Sequence, residues 1–334
     1  MINKQQSKST IYDIARLAGV NPSTVSRALN NPGRINAKTE AKIKDAAKQL
    51  NYRVNPFARA LPTGKTKMIG LMLTDITNPV FFNAVRGAED AALRHGYTLV
   101  ISESQESSSL ETSTLQKVQA AVDGIVMVTT RLEDEQLRDL DAHKPVVLMN
   151  RVVKGIADVV PQIEPGIIEA IDHLASLGHK RLAFISGPRN SWMNNSRWEL
   201  LMKHAVNKGM NIVEIGPNNP SLEAGRETFE RVQAAGVTAV IAYNDLMAIG
   251  FMQEASKRGV SIPKDISVVG FDNIFGSDFT SPSLTTVAMP LTQTGDLAIE
   301  TILSLINKIE QTAKPANELK TSLVLRNSTG VAKN

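Results

Sequence analysis

TIYDIARLAGVNPSTVSRALN, Thr10 to Asn30, decides the reading of this chain. Thr10 is followed three residues later by Asp13, the spacing of a capping box at a helix start. Ile11, Ile14, Ala15 and Ala18 then recur at helical spacing. Gly19 ends the segment, because the turn out of a helix needs a residue that tolerates positive φ. Asn21 and Pro22 restart the chain at once, Asn as N-cap and Pro at the first helical position, where its missing N–H leaves no bond unmade. Val25, Ala28 and Leu29 give the second helix a buried stripe, and two short helices about a turn apart form a helix-turn-helix signature. Asn36 caps a third helix whose apolar positions are Ile43, Ala46, Ala47 and Leu50.

The second helix leaves Ser23, Thr24, Ser26 and Arg27 for its outer face. Side chains near its N-terminus suit base edges in a major groove, where arginine pairs bidentately with guanine. Ser23 and Thr24 read equally as ordinary first-turn residues, and on charge context alone Arg27 is as readily a surface cation. Charge distribution favours the nucleic-acid reading of the segment as a whole. Residues 1–67 carry thirteen Lys/Arg against three acids, a net of +10, whereas the remainder is −6 within a chain of +4. A basic head on an acidic body suits a polyphosphate partner.

Beyond the head the chain alternates. Short β-rich runs at 68–74, 97–102, 124–128, 145–149, 181–186, 239–243 and 265–271 are separated by helical patterns such as 79–95 and 244–258. The alternation predicts parallel sheets with helices on both faces, and 334 residues are enough for two such lobes. Ligands of such sheets sit beyond the carboxyl ends of strands, so the cleft between lobes is the expected site.

The quoted stretch, with its continuation TEAKIKDAAKQLNYRVNP over 39–56, resembles the head of the lactose-repressor (LacI/GalR) family of bacterial regulators. The resemblance continues through DITNPVFF (75–82), LGHKRLAFISG (177–187), NDLMAIG (244–250), DISVVGFDN (265–273) and PSLTTV (282–287), covering roughly residues 10–330. It implies an α/β protein: an all-α helix-turn-helix head over 1–54, a hinge helix and linker over 55–67, and a two-lobed, doubly wound, periplasmic-binding-protein-like core over 68–330. The first lobe is then 68–160 plus 289–310, and the second 161–288 plus 311–330.

The implied function is a sequence-specific transcriptional regulator, a repressor by family default, whose affinity for DNA answers to a small molecule such as a sugar. The resemblance implies Ser23 and Arg27 as base readers and Asn36, Tyr52 and Asn55 as phosphate contacts. Thr10, Thr24, Asn30 and Arg59 complete the DNA-contacting set. In the hinge, Leu61 takes the place of a leucine that wedges into a minor-groove step, with Phe57 against the partner hinge. Pro62 departs from the family's commoner residue there and should end the hinge helix. Gly64-Lys65-Thr66 only mimics the end of a phosphate-binding loop, since that motif needs glycine where Arg59 stands.

Strand ends and the resemblance together nominate effector contacts. Asp75 and Asn78 leave the first strand; Phe81 stands at the following turn, where it either stacks on a ligand or joins Val85, Ala88 and Ala92 in a core stripe. Asn150-Arg151 follows the fourth strand. Arg197 holds the family position of an effector-binding arginine, whose fork suits adjacent hydroxyls, a carboxylate or a phosphate. Asp245 and Asp272 follow strands of the second lobe, and Trp192 is either a wall or core. Gln162-Ile163 stands where the family usually has Asp-Asn, which changes the expectation for the site.

Rival functions lack residues. With no cysteine and five scattered histidines, there is no HExxH, GxGxxG or GxSxG, and neither an enzyme, a metal nor a cofactor is implied. A solute-binding protein would share the body but would have no use for a +10 head. A polar N-terminus and no apolar run near ~20 residues point to a cytoplasmic protein without membrane contact. The expected partners are a near-palindromic duplex operator, a small-molecule effector and a second copy of the chain, with dimer against tetramer left open.

Overall fold

The computed structural model describes residues 9–30, 33–52, 64–309 and 318–333. The chain falls into two compact units, Met1–Thr66 and Lys67–Asn334. The hinge residues Asn55, Phe57, Arg59, Leu61 and Pro62 lie outside the described residues.

Three helices build the first unit: α1 (Ile11–Ala18), α2 (Pro22–Asn30) and α3 (Ala37–Gln49). The Thr10 backbone N–H and hydroxyl both donate to the Asp13 carboxylate, at 2.9 and 2.7 Å. Gly19 takes φ +67° and closes α1. Asn36 accepts from the Lys38 N–H at 2.9 Å, so α3 starts where local chemistry asks it to. Ile14, Ala15, Val25, Ala28, Ile43 and Ala46 are buried together, one stripe from each helix.

In the second unit, parallel strands alternate with helices. β1 (Met68–Leu73), β2 (Thr98–Glu103), β3 (Gly124–Val128), β4 (Val146–Met149) and β5 (Ala157–Val159) form one sheet in the order β2-β1-β3-β4-β5. The second sheet runs β11-β10-β9-β8-β6-β7, from β6 (Arg181–Ile185), β7 (Asn211–Ile215), β8 (Ala239–Ala242), β9 (Ser267–Asp272), β10 (Thr285–Ala288) and β11 (Ser322–Val324). Only β11 pairs antiparallel among these described strands. Central strands such as GIVMV and AVIA are buried along their whole length, as strands covered on both faces must be. Helices α4 (Val80–Arg94), α5 (Ser108–Val118) and α6 (Asp134–His143) belong to the first lobe. The second holds α7 (Glu164–Ser176), α8 (Trp192–Asn207), α9 (Leu222–Glu227), α10 (Phe229–Ala234) and α11 (Asp245–Lys257).

The chain crosses between lobes more than once. After β10 it returns to the first lobe as α12 (Leu291–Asn307), which packs on α4 and on β3, β4 and β5. Residues 318–324 then go back to the second lobe. Two crossing segments pair with each other: the Gln162 N–H donates to Leu319 O at 2.7 Å, and the Thr321 N–H to Gln162 O at 3.1 Å. Gln162, expected to bear on the effector site, is therefore a backbone partner in this crossover.

α4 and α12 meet at glycines on both sides. A Cβ on Gly87 would lie 2.0 Å from Thr292 O, and one on Gly295 2.0 Å from Ala84 O. Backbone oxygen cannot turn aside as a side chain can. Gly87→Ala is expected to force the helices apart and lower stability by about 1–3 kcal/mol, read as a lower urea midpoint of the full chain. An unchanged midpoint would show that the helices slide freely.

Candidate functional site

On the head, Ser23 and Arg27 are exposed and Thr24 is half-buried. Ser23 and Arg27 are four residues apart on α2 and so share a face. The positive end of the α2 dipole lies beside Ser23, which favours a phosphate neighbour. Tyr52 packs half-buried against the head core, and its N–H donates to Ala47 O at 2.9 Å. Thr10 and Asn36, nominated as contacts, both already serve as helix caps through their side chains. Asn30 ends α2, and Asn55, Arg59 and Leu61 fall outside the described residues.

Within the second unit, a cleft opens at the carboxyl ends of both sheets. Its walls include Thr74, Glu106, Thr129, Arg131 and Asn150 from the first lobe and Arg197, Tyr243, Asn244 and Asp272 from the second. Asn78, Phe81, Met149, Met193, Met289 and Leu291 add an amide and apolar surface. The interior offers about 50 Å³ to the centres of water molecules, room for a few waters. A sugar-sized guest must move side chains or the lobes themselves.

Strain concentrates on these walls. Glu106, Thr129, Asn150 and Asp272 have φ of +60, +54, +59 and +109°, a region that non-glycine residues avoid. Each stands at or just beyond the end of β2, β3, β4 or β9. Such conformations persist where the surroundings over-determine them, and they gather at binding sites.

The second-lobe wall is built around Arg197, 3% exposed. One η nitrogen donates to Tyr243 O and the other to Asp272 Oδ1 at 3.0 Å. The guanidinium lies 3.8 Å over the Phe271 ring and 4.9 Å from that of Tyr243. Its Nε–H has no partner, and neither has Asn150 Oδ1 on the opposite wall. One orphan is a donor and the other an acceptor. Buried polar atoms are rarely left so.

Burial raises the Asp272 carboxyl to about 7, with Arg197 pulling it down and neighbouring Asp245 pushing it up. An acid whose folded pKa is raised binds protons more tightly when folded, so its contribution is full below the unfolded value of 3.8 and lost as pH rises through about 7. Asp272→Asn should therefore flatten the stability–pH profile between those limits. Urea melts across pH 4–8 read this directly (roughly the window of the two values); parallel profiles for the two proteins would contradict the assignment.

Four of the eight nominated effector residues line the cleft: Asn78, Phe81, Arg197 and Asp272. Phe81 does both things expected of it, being buried in the core cluster and present on the wall. Asp75 is turned away, closing a local turn on the Thr77 N–H and hydroxyl at 2.8 and 2.6 Å. Arg151 is sewn to the 130–134 loop through Thr130 O, Leu132 O and Asp134. Trp192 starts α8 and packs, partly buried, against the core.

Asp245 differs most from expectation. It is fully buried, and its carboxylate accepts from the Ile274 N–H (2.9 Å), Ser277 Oγ (2.6 Å) and Thr286 Oγ1 (2.6 Å). Those donors hold it in the loop below, and it is not among the residues that line the cleft. Its neighbour Asn244 is on the wall instead, capping α11 by accepting the Met247 N–H.

Residues the sequence reading passed over are Glu106, Thr129, Arg131 and Tyr243. Thr129 and Tyr243 each directly follow a strand, as Asn150 does, so the strand-end rule was signal enough for them. Glu106 and Arg131 had no such signal. Among the described residues no His/Cys/Asp/Glu group has the arrangement of a metal site, and no helix is long and apolar enough to cross a membrane.

Known proteins share this organisation. Residues 10–55 match the model of the bacterial regulatory proteins, lacI family, and residues 171–329 that of a periplasmic binding protein-like domain. The chain is 34% identical to the HTH-type transcriptional regulator DegA of Bacillus subtilis (strain 168), over 96% of this chain and 98% of that protein. It resembles the lac repressor dimer bound to operator and the anti-inducer ONPF with TM-score 0.86 and 25% identity, covering 97% of this chain and all of that one. A LacI family regulator from Enterococcus faecium with bound ribose gives TM-score 0.72 and 26% identity over 80% of this chain and all of that one. A three-helix basic head, a two-lobed body and a full-length relative at this identity lead to one conclusion: the chain is a helix-turn-helix transcriptional regulator and belongs to the lacI family of bacterial regulatory proteins.

Proposed function

We propose that the protein is a cytoplasmic repressor that binds a near-palindromic operator as a homodimer and releases or tightens its hold when a small polyhydroxylated metabolite enters the cleft. The observation that carries the ligand half is the pair of orphaned atoms, Asn150 Oδ1 on one lobe and Arg197 Nε–H on the other. A hydroxyl group can donate to the first and accept from the second, so a ligand with several hydroxyls satisfies both walls at once. The lac repressor and Enterococcus faecium neighbours, solved with operator and with ribose respectively, support the same division of labour.

The mechanism follows from size and linkage. The narrow cleft makes ligand entry and lobe angle one event. The ligand then shifts operator affinity by its differential binding to the two lobe arrangements, and by no more than that. Phe275 and Phe279, exposed at 71% and 68% and in edge contact at 5.1 Å, form an apolar patch suited to a second copy.

Arg27 tests the DNA half. On a duplex selected from a random pool, Arg27→Ala is expected to lose about 1–3 kcal/mol and to relax preference at one base pair. Fluorescence anisotropy on selected and scrambled duplexes separates base reading from phosphate attraction. Equal losses on both would contradict the role given to Arg27.

A further inference from the structure

We propose that Glu106 and Arg131 act as a charge filter in the cleft, admitting neutral polyhydroxylated ligands and excluding phosphate esters and carboxylates. The inference rests on the reading of the cleft as a ligand site and names the chemistry it accepts.

Glu106 and Arg131 sit on the first-lobe wall, from the loops that follow β2 and β3. Arg131 Nε donates to Glu106 Oε2 at 2.7 Å, and its Nη2 lies 2.6 Å from the same oxygen. Nη1 donates to Thr129 O at 2.8 Å, and the Arg131 N–H donates to Glu111 Oε2 at 2.9 Å. The arginine side chain is 3% exposed and the glutamate 24%. The chain accepts strain to deliver this carboxylate, since Gln105 and Glu106 both have positive φ, +50 and +60°. Facing this pair is a second one, Arg197 with Asp272. Each wall thus seats one guanidinium against one carboxyl group.

An anion site would be made differently, from unpaired cations or free N–H groups at helix starts. Three helices that begin at this cleft each have a side chain on one of their first N–H groups. Asn78 Oδ1 accepts the Val80 N–H at α4, Ser191 Oγ the Asn194 N–H at α8, and Asn244 Oδ1 the Met247 N–H at α11. What remains for a ligand is hydrogen bonding without net charge. Glu106 is accordingly a specificity-determining residue: it cancels the one first-lobe cation on the wall that would otherwise draw an anion.

Glu106→Gln removes the charge and keeps an acceptor for the guanidinium. The probes are D-ribose 5-phosphate and inorganic phosphate, in calorimetry and thermal shift at fixed ionic strength on the full chain. The wild type is expected to take neither. Glu106→Gln is expected to gain affinity for ribose 5-phosphate by roughly tenfold or more, the scale of one uncovered charge at short range. Adding Arg131→Gln should abolish the gain, and Glu106→Ala should reproduce it if the amide variant folds poorly. Wild-type binding of ribose 5-phosphate, or no gain in either Glu106 variant, would overturn the filter. A panel of neutral sugars and nucleosides on the wild type is read separately: if none binds, the ligand reading of the cleft fails, while the Glu106 variants still decide whether Glu106 offsets the charge of Arg131.

Discussion

Arg197→Ala is expected to leave operator binding intact and to weaken the effector by about 100-fold or more, giving a regulator that no longer answers its signal. The side chain has a fixed pose: both η nitrogens are committed to Tyr243 O and Asp272, and the plane is held between the Phe271 and Tyr243 rings. That pose leaves Nε–H aimed at nothing in the protein. A hydrogen bond to a charged group contributes about 1.5–3 kcal/mol, and 100-fold corresponds to about 2.7 kcal/mol. Truncation also strands Asp272 in a buried site without its cation, which disturbs the wall further. Arg197→Lys should recover little, because an ammonium cannot fork between two acceptors and still present a third N–H. Calorimetry with any metabolite that stabilises the wild type in a thermal-shift screen supplies the comparison. Equal affinities for wild type and Arg197→Ala would remove Arg197 from the site.

Asp245→Ala is expected to cost about 3–5 kcal/mol of stability, a loss on the scale of truncating a large core side chain. Three donors converge on this carboxylate, from a backbone N–H and two hydroxyls of the 274–286 segment. Alanine leaves all three buried without an acceptor and opens a void. Asp245→Asn should lose less than half as much, because its oxygen keeps two donors and its amide can donate to the Thr286 hydroxyl, which is able to turn. Burial pushes the Asp245 carboxyl upward, so a neutral group of the same shape is tolerated. Urea melts of the full chain, followed through the transition of the body, compare the three proteins. If asparagine proves as damaging as alanine, the charge rather than the bonding geometry holds this loop.

Legibility in the sequence followed the range of the interactions. The head was open to inspection because its signals are local: Thr10 with Asp13, Gly19 at positive φ and Asn36 two residues before Lys38 all act within one turn. The strands were equally visible, since fully buried runs such as GIVMV have little alternative in a parallel sheet. The cleft was readable to within a residue or so. Asn150 and Arg151 both leave the fourth strand and only Asn150 lines the wall, a distinction made by a left-handed turn at Asn150 that a strand-end pattern does not show. At α11 the cap Asn244 lines the cleft while the next residue, Asp245, is drawn into the loop below by contacts across some thirty residues that only the fold makes. Glu106 and Arg131 were not readable at all. They meet across 25 residues, a contact that only the fold can make.

Coupling between a bound duplex and a ligand in the cleft can be read in one titration. The affinity of the full-length protein for a duplex selected from a random pool is measured at fixed salt, with and without a metabolite that stabilises the wild type, and again with Arg197→Ala. The expected outcome is a selected-over-scrambled preference of about 10³-fold or more, a ligand-dependent change in it of about 5–150-fold, and no such change in the variant. A chain that binds selected and scrambled duplexes alike, or whose duplex affinity ignores a ligand that demonstrably occupies the cleft, would contradict it.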